Sequence, residues 1–450
     1  MDRKSILVLI VCFVLLLLWG PIVNRIYPPI PVETPAGATN QVSTTTRPAA
    51  GPETAAPTGP VAERPPAITA PRSPVERWTE PDTPEEILTL ETPQARYHFT
   101  SHGGALRKVE LKDYPAEIQC RGAGTTNGVG YATLNAHARV PALALFGGEA
   151  LEDHRPFVLR KTDRGVVAEK LLSNGLALIK EFVPSSNHVL LVTLRLENRT
   201  NQPVALPETE LTIGTSIPLN LKEQPRFQGV QYFDGRKAHL IGASWFANHL
   251  LGCGCLPGTP RYEFRSEGVS NIVWASVPNR FFTMIAAPEQ PAYQLRARKV
   301  EPLWPEAAEL GRRRPVGYEA ALVYPAIQIP AGAKVEQHLT LYAGPKDYNT
   351  LAGLGKSQDL AMNFTTIFGW FAKLLLLSMK GIHSVGLSYG ATIIAITFII
   401  KLLFWPLTRA STRSMKRMQA LQPQMKAIQE KYKDDPRKMN MKLMEFMKEN

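Results

Sequence analysis

A lysine lies inside an apolar stretch in the last fifth of this 450-residue sequence. The stretch runs from Val385 to Leu407 and includes the segment TFIIKLLFWPL, whose charged residue is Lys401. An ammonium group at the centre of a bilayer costs roughly 2.5–3.5 kcal/mol on insertion scales. Charges of this kind usually mark polar pathways, so Lys401 is the first candidate for a functional residue.

The helical projection of this stretch places two hydroxyl residues beside the lysine. At 100° per residue, Thr397 and Thr408 fall on the stripe of Lys401 together with Gly390, Ile394 and Trp405, whereas most other bulky apolar residues fall elsewhere. We interpret this stripe as the wall of a water-accessible groove inside the membrane, with Lys401 as its cation. An alternative stays open, because Lys401 is about 9 Å of helix rise from Leu407 and could extend its ammonium toward the interface.

The other residues capable of chemistry do not form a recognisable site. No spacing among the histidines indicates a catalytic pair; seven of them are His98, His102, His137, His154, His188, His239 and His249. The cysteines are Cys12, Cys120, Cys253 and Cys255, and one C-x-C pair has too few ligands for a structural zinc site. A disulfide from Cys120 to one of that pair and free thiols both remain open. We expect no metal, no cofactor and no enzymatic activity.

The net charge of +12 is concentrated beside the apolar segments. Residues 408–450 hold eleven Lys and Arg against five Asp and Glu, which gives +6. Lys373, Lys380 and Lys401 add three more positive charges, whereas the middle of the chain is nearly neutral. This distribution favours membrane orientation over nucleic-acid binding, and we expect no nucleic-acid specificity.

A second apolar run lies at the N-terminus. Residues 1–27 contain the segment SILVLIVCFVLLLLWGPIV after Arg3 and Lys4, without a small-residue cleavage site, and we predict an uncleaved transmembrane anchor. Residues 28–93 are rich in Pro, Ala and Thr and contain few large apolar residues, so we predict a disordered linker. By the positive-inside rule both chain ends are cytoplasmic, and residues 24–384 lie on the outer side.

Short strand patterns occupy residues 94–346. ARYHFTSHGGALRKVEL predicts two strands around the Gly103-Gly104 turn, and LALIKEFVPSSNHVLLVTLRLENRT predicts a second pair. RFFTMIAAP and VEQHLTLYAGP predict two more strands. Since no long amphipathic helix interrupts this pattern, we expect one large antiparallel sandwich.

The pattern becomes helical after the sandwich. Residues 347–384 contain an apolar segment too short to span a bilayer, and we predict an interfacial amphipathic helix with Trp370 at headgroup depth and Lys373 beside it. The second transmembrane helix is expected at 385–407.

Residues 408–450 predict a basic helical hairpin. Met415, Met418 and Met425 belong to an apolar seam at three- and four-residue spacing, with a kink or restart expected at Pro423. Asp435 is predicted to be the N-cap of the second helix, and Pro436 its first residue. The methionines either serve as this seam alone or present an adaptable surface to apolar partners.

The segment from Tyr389 to Asn450 resembles the second transmembrane helix and the first cytoplasmic hairpin of the YidC/Oxa/Alb membrane protein insertases. The matching residues are PLT, LQP and KYKDDP in order, and YHFTSHGGALRKVELKDYP, NRFFTMIAAP and LYAGPKDYNTLA resemble the Gram-negative YidC type with its large periplasmic domain. The resemblance implies a β-supersandwich outer domain, a bacterial inner-membrane location and a non-enzymatic insertase and chaperone for membrane proteins. Its implied partners are nascent membrane proteins, the lipid bilayer, the Sec translocon and the ribosome.

Two features depart from that family. Its groove residue is usually arginine, whereas this chain has Lys401, which keeps the charge but loses the bidentate fork. Family members also continue with further spans after the hairpin, and we therefore expect this chain to be a fragment or a truncated form. The competing functional hypotheses are a membrane-anchored carbohydrate-binding or mutarotase-like sandwich, and a scaffold for secretion-machinery subunits.

Overall fold

The computed structural model describes residues 78, 81, 83–116, 130–151, 153–220, 223–248, 259–304, 315–363, 369–432 and 436–449. The chain divides into two compact units after Asn363. The sheets lie before this point, and the long helices lie after it. The predicted anchor 1–27, the four cysteines, His249 and Asp435 fall outside the described residues.

Twenty strands, labelled β1 to β20 in chain order, are present in the described part of the first unit. Their bounds are Ile87–Glu91 (β1), Ala95–Thr100 (β2), Ala105–Pro115 (β3), Tyr131–Leu134 (β4), Leu145–Phe146 (β5), Val158–Lys161 (β6), Val166–Leu171 (β7), Leu176–Pro184 (β8), Val189–Asn198 (β9), Val204–Leu206 (β10), Thr209–Ser216 (β11), Gly229–Phe233 (β12), Ala238–Gly242 (β13), Glu263–Arg265 (β14), Trp274–Pro278 (β15), Phe282–Pro288 (β16), Gln294–Val300 (β17), Gly317–Tyr324 (β18), Ile327–Ile329 (β19) and Lys334–Pro345 (β20).

These strands form two principal antiparallel sheets that pack face to face. One sheet has nine strands in the order β13-β12-β15-β16-β20-β9-β8-β7-β6, and the other has five in the order β14-β17-β18-β11-β5. Leu194 and Met284 from the first sheet share one buried core with Leu211, Leu295 and Leu322 from the second. A four-stranded sheet, β1-β2-β3-β4, and the pair β10-β19 complete this unit. The predicted sheet-rich sandwich is therefore confirmed.

The strand pattern in β9 shows why the sandwich could be predicted. Leu190, Val192, Leu194 and Leu196 are at most 4% exposed, whereas Leu191 between them is 46% exposed. This alternation places one side of the strand in the core. The predicted pairs β2–β3 and β8–β9 are hydrogen-bonded hairpins, and the other two predicted segments form β16 and β20.

The predicted linker boundary at residue 93 is wrong. Residues 87–91 form β1, which pairs along its whole length with β2, from Ile87 opposite Thr100 to Glu91 opposite Arg96. The segment ILTLE places Leu90 in the core at 8% exposure. A five-residue strand with one well-buried side chain was too short to stand out beside the Pro-rich sequence before it.

The segment after β20 packs against the outer face of the nine-stranded sheet. A short helix (Ala243–Ala247, α1) follows β13, and a second (Tyr348–Gly353, α2) follows β20 with the Asp347 carboxylate as its N-cap. Leu351 of α2 and Ala361 of the following 3-10 helix pack with Trp274 of β15 in a second buried cluster. This packing fixes the path of the chain toward Asn363.

An ionic cluster is buried on the five-stranded sheet. Glu210 of β11 accepts hydrogen bonds from both Arg296 and Arg298 of β17, with the Arg298 Nη1 contact at 2.6 Å. Glu319 of β18 lies beside this group, and burial raises the pKa of its carboxyl to about 7. Removing one partner of such a buried cluster typically costs about 3–5 kcal/mol, because the remaining charge stays desolvated.

A buried lysine joins three segments of the sandwich. The Lys180 ammonium of β8 is 1% exposed and donates hydrogen bonds to the carbonyls of Gly103 at 2.8 Å and Leu143 at 2.6 Å. Both of these residues have positive φ angles, 79° and 69°. Lys180 therefore stabilises two turns whose backbone conformations L side chains disfavour.

Because Lys180 is buried, we predict that the unfolding free energy of the sheet unit depends on pH. Burial lowers the pKa of Lys180 to about 7, whereas in the unfolded chain the lysine has its ordinary pKa near 10.5. Between these values the unfolded state binds more protons, so the unfolding free energy should rise with pH by up to about 1.4 kcal/mol per unit.

We expect denaturant unfolding of the sheet unit, followed by far-ultraviolet circular dichroism, to show this rise from pH 7 to 10. The rise should be smaller in Lys180→Met, which keeps the contribution of Lys346, whose pKa burial also lowers, and it should be unchanged in a Lys161→Met control at an exposed strand end. Equal pH slopes in all three proteins would contradict the assignment.

Candidate functional site

Three helices form the described part of the second unit. They are Gly369–Ser384 (α3), Tyr389–Lys431 (α4) and Pro436–Glu449 (α5). With 43 residues, α4 is about 65 Å long at 1.5 Å per residue. It packs against both α3 and α5. Among the described residues it is the one helix long and apolar enough to cross a membrane.

The boundaries of α4 differ from those expected at the sequence level. The predicted span 385–407 includes a turn, since Gly386 has φ 98° and the Ser388 hydroxyl caps the helix by accepting from the Ala391 N–H at 3.3 Å. The helix then continues through Pro406 and Pro423 to Lys431. Of the two alternatives expected at Pro423, the helix restart is therefore wrong, and the kink stays a prediction. Residues 415–431 are mostly strong helix formers (Met, Gln, Ala, Leu and Lys), which favours continuation despite the missing N–H.

The structure places the three predicted groove residues on the exposed side of α4. Lys401, Thr397 and Thr408 are all exposed. Nine residues before Lys401, and therefore half a turn around the helix, Thr392 is fully buried. The lysine stripe thus faces away from the side of α4 that packs within the described helical unit. Such a stripe is available to water, lipid or another polypeptide.

The hydroxyls of Thr397 and Thr408 donate hydrogen bonds to backbone carbonyls of α4 itself. Thr397 Oγ1 donates to the Ile393 carbonyl at 2.7 Å, and Thr408 Oγ1 donates to the Phe404 carbonyl at 2.9 Å. This back-bonding to the residue four positions earlier is a common arrangement for threonine in a helix. The hydroxyl oxygens keep acceptor capacity on the stripe, but they do not by themselves separate the groove from the snorkelling alternative.

A helix, α3, lies where the interfacial helix is predicted, and its place at the membrane interface stays a prediction. Trp370 near its start is 56% exposed, Lys373 is half-buried, and Leu374 is 8% exposed. The Trp370 and Phe371 rings meet edge to face with centroids 5.8 Å apart. At 16 residues, α3 is about 24 Å long, which is short for a transmembrane helix.

The seam between α4 and α5 contains only part of the predicted methionine set. Leu421, Met425, Ile428 and Tyr432 of α4 are half-buried, as are Met439, Leu443 and Phe446 of α5. Met415 and Met418, by contrast, are 62% and 64% exposed. Pro436 is the first residue of α5, as expected. The two exposed methionines are therefore free to form the adaptable surface considered for the hairpin.

The histidines in the described part of the chain do not converge on a second site. His98 lies 3.2 Å from Glu110, His137 stacks on Trp304, and His239 lies 2.8 Å from Asp234. Among the described residues no group of three or more His, Cys, Asp or Glu could hold a metal ion.

Comparisons with known proteins cover most of the chain. A family model described as the YidC periplasmic domain matches residues 157–377, and one described as a 60Kd inner membrane protein matches residues 381–450. A membrane protein insertase YidC of Syntrophus aciditrophicus is 27% identical over 456 residues, covering 100% of this chain and 78% of the relative. The chain belongs to the YidC family of membrane protein insertases.

Other members of the YidC family match over shorter segments. The Chlorobaculum parvum protein is 35% identical over 217 residues, which is 46% of this chain and 34% of the relative. A Pseudomonas aeruginosa protein is 43% identical over 132 residues, covering 29% of this chain and 22% of the relative. The matched parts thus span about a third or less of these two relatives.

Among solved structures, a putative aldose 1-epimerase from Escherichia coli K12 shares 12% identity with a TM-score of 0.35. This match covers 58% of the present chain and 99% of the epimerase.

The α4–α5 seam gives a prediction about the hairpin. A 14-residue helix is marginal alone in water, so α5 depends on packing of its apolar side. Leu443→Ala should weaken this packing by about 1–2 kcal/mol, raising amide hydrogen exchange across Pro436–Glu449 on the order of tenfold.

Met444→Ala is the matched control, because Met444 is 73% exposed. We expect amide exchange across Pro436–Glu449 to be unchanged in this variant. Similar exchange in both variants, measured by mass spectrometry, would show that the seam does not hold α5.

Proposed function

We propose that this chain acts in the insertion of membrane proteins, with α4 as one wall of a hydrophilic intramembrane groove. The observation that carries the proposal is the placement of Lys401. Its stripe, with Thr397 and Thr408, is exposed on a membrane-capable helix and faces away from the buried side of that helix. Membership in a family of insertases supports the same role.

The proposed chemistry involves no bond cleavage and no cofactor. A polar segment of an incoming chain loses its hydration on entering the bilayer, at a cost of several kcal/mol per unpaired group. A hydrated ammonium at Lys401 offers such a segment a charge-assisted hydrogen-bond partner at that depth. The Thr397 and Thr408 hydroxyl oxygens add acceptors on the same stripe. Together they lower the barrier for moving polar residues across the membrane.

Lysine in place of the usual arginine changes how a substrate is held. An ammonium donates from a compact point charge, whereas a guanidinium can bind a carboxylate through two parallel hydrogen bonds. We infer that this groove attracts acidic and carbonyl-bearing segments without fixing their orientation.

The proposed topology follows from the charge distribution. The anchor 1–27 and α4 would cross the inner membrane, with the sandwich in the periplasm and α5 in the cytoplasm. The helix α3 would lie in the outer interface with Trp370 at headgroup depth. The +6 segment 408–450 would stay on the cytoplasmic side, where it meets anionic lipid.

The proposed partners follow from this arrangement. Nascent membrane proteins would be the substrates, and the exposed Met415 and Met418 would give them or another apolar partner an adaptable surface. The ribosome and the Sec translocon are the proposed sources of incoming chains, on the cytoplasmic side and within the membrane respectively.

Substitutions at Lys401 test the groove. We propose a hybrid in which the segments of the Syntrophus aciditrophicus relative that this chain does not match are joined to it, expressed in insertase-depleted cells. Lys401→Ala should reduce insertion of a substrate with a charged periplasmic segment by at least about tenfold, and Lys401→Glu should reduce it further. Lys401→Arg should retain insertion because the charge is kept.

The matched control for these variants is Lys416→Ala, which removes an exposed lysine beyond the apolar stretch and should insert as well as the unsubstituted hybrid. Normal insertion by both Lys401→Ala and Lys401→Glu would contradict the role of the charge.

Cysteine labelling tests the topology. In a background without the native cysteines, Ser185→Cys on the β8–β9 turn should react with an impermeant maleimide in intact spheroplasts. Gln429→Cys on α4 should react after permeabilisation alone. Both residues are exposed, so local burial cannot account for a difference. Labelling of Gln429→Cys in intact spheroplasts would overturn the proposed orientation.

A further inference from the structure

The connection between α3 and α4 is short and closely held. Residues 385–388 join Ser384 at the end of α3 to Tyr389 at the start of α4. The chain turns there through Gly386, whose φ of 98° a residue with a Cβ would adopt only with strain. The Gly386 N–H donates to the His383 carbonyl at 2.9 Å. A connection this short limits how far α4 can swing relative to α3.

The His383 side chain joins the two helices. Its ring lies in the last turn of α3 and stacks on the Tyr389 ring, with centroids 3.8 Å apart and planes at 21°. Its Nδ1 lies 2.6 Å from the Leu387 carbonyl oxygen. Because a carbonyl oxygen can only accept, Nδ1 carries the proton and donates. The histidine therefore contacts both the connecting turn and the first residue of α4.

The direction of this stack is related to the direction of the lysine stripe. At about 100° per residue, Tyr389 lies about 60° around α4 from the buried Thr392 and about 120° from Lys401. The residue that His383 holds and the buried residue are therefore on neighbouring sides of the helix. A helix held on these two sides keeps the Lys401 stripe on the opposite, exposed side.

We propose that His383 is a positioning residue for the groove. Its contacts with Tyr389 and Leu387 fix the rotation of α4 about its own axis, and so set the direction in which the Lys401 stripe faces. This inference rests on the proposed function, because a fixed direction matters where the stripe receives an incoming segment. Without the stack, α4 keeps its helix but turns relative to α3, and the stripe faces the incoming segment for a smaller fraction of the time.

The stack and the hydrogen bond can be removed separately. Tyr389→Ala removes the stack and leaves the His383 hydrogen bond to Leu387, whereas Tyr389→Phe keeps an aromatic ring at the same place. His383→Ala removes both contacts. Val385→Ala is the matched control, because Val385 lies in the same turn and is 81% exposed.

The test measures the distance between spin labels at Ala372→Cys on α3 and Ile394→Cys on the stripe, both at exposed positions. The full chain without its native cysteines is placed in lipid nanodiscs and studied by double electron–electron resonance. We expect a narrow distance distribution that Tyr389→Ala and His383→Ala widen about twofold or more, because they remove the stack. Tyr389→Phe and Val385→Ala should keep it narrow. Far-ultraviolet circular dichroism should show the same helix content in all of these proteins.

Insertion separates positioning from ordinary structural support. In the hybrid used for the Lys401 variants, Tyr389→Ala should reduce insertion several-fold, although it leaves Lys401 in place and the helix content unchanged. Tyr389→Phe should retain insertion, since the ring alone makes the stack.

Three results would overturn this proposal. They are a distance distribution that is already broad in the labelled chain, one that stays narrow in both Tyr389→Ala and His383→Ala, and normal insertion by Tyr389→Ala where Lys401→Ala is defective. The groove fails separately, through normal insertion by the Lys401 variants beside a distribution that Tyr389→Ala still widens. Where His383→Ala fails to fold, Tyr389→Ala and Tyr389→Phe still decide the outcome.

Discussion

The Lys401 ammonium cannot lie in hydrocarbon without water or a polar partner, and the organisation of the helical unit is best understood from this constraint. The buried side of α4, marked by Thr392, turns the lysine stripe outward. The apolar residues on either side of the stripe suit α4 to lipid, while the Lys401 ammonium needs hydration. A helix with these two requirements is stable in a membrane where polar groups of another segment, or water, reach the stripe.

The sheet unit obeys a different constraint. Its core is shared by two sheets, and the Trp274 cluster attaches α2 and the 3-10 helix to the outer face of the larger one. Trp274 Nε1 also donates to the Lys356 carbonyl at 3.0 Å, and Lys346 Nζ donates to the Asn279 carbonyl at 2.7 Å. These contacts hold the segment after β20 on the sheet. The sandwich therefore has a core of its own.

Much of this architecture was predictable because it rests on periodicity. The alternation in β9 and the turn at Gly103-Gly104 are visible in the sequence, and so is the apolar stretch around Lys401. β1 was missed because its alternation, with Leu88 and Leu90 toward the core, lasts only five residues beside a Pro-rich sequence, and it is held by pairing with β2. The continuity of α4 through Pro423 was missed because helix propensity on both sides outweighed one lost hydrogen bond.

Features that depend on distant contacts could not be predicted. Nothing near Lys180 in sequence indicates that it is buried beneath two carbonyls, from Gly103 and Leu143. For the groove, the sequence predicted the residues that share the stripe, and the structure adds that the stripe is on the exposed side.

The most direct test of the groove is water access along α4 in a bilayer. Single cysteines placed from Ile393 to Thr408 would be reacted with a small water-soluble thiol reagent. A hydrated groove predicts that reactivity follows the helical period, with positions 394, 397, 401, 405 and 408 fast and 393, 398 and 399 slow. Reactivity that instead falls steadily with depth from Thr408, equal on all sides of the helix, would contradict the groove and leave Lys401 as a snorkelling residue.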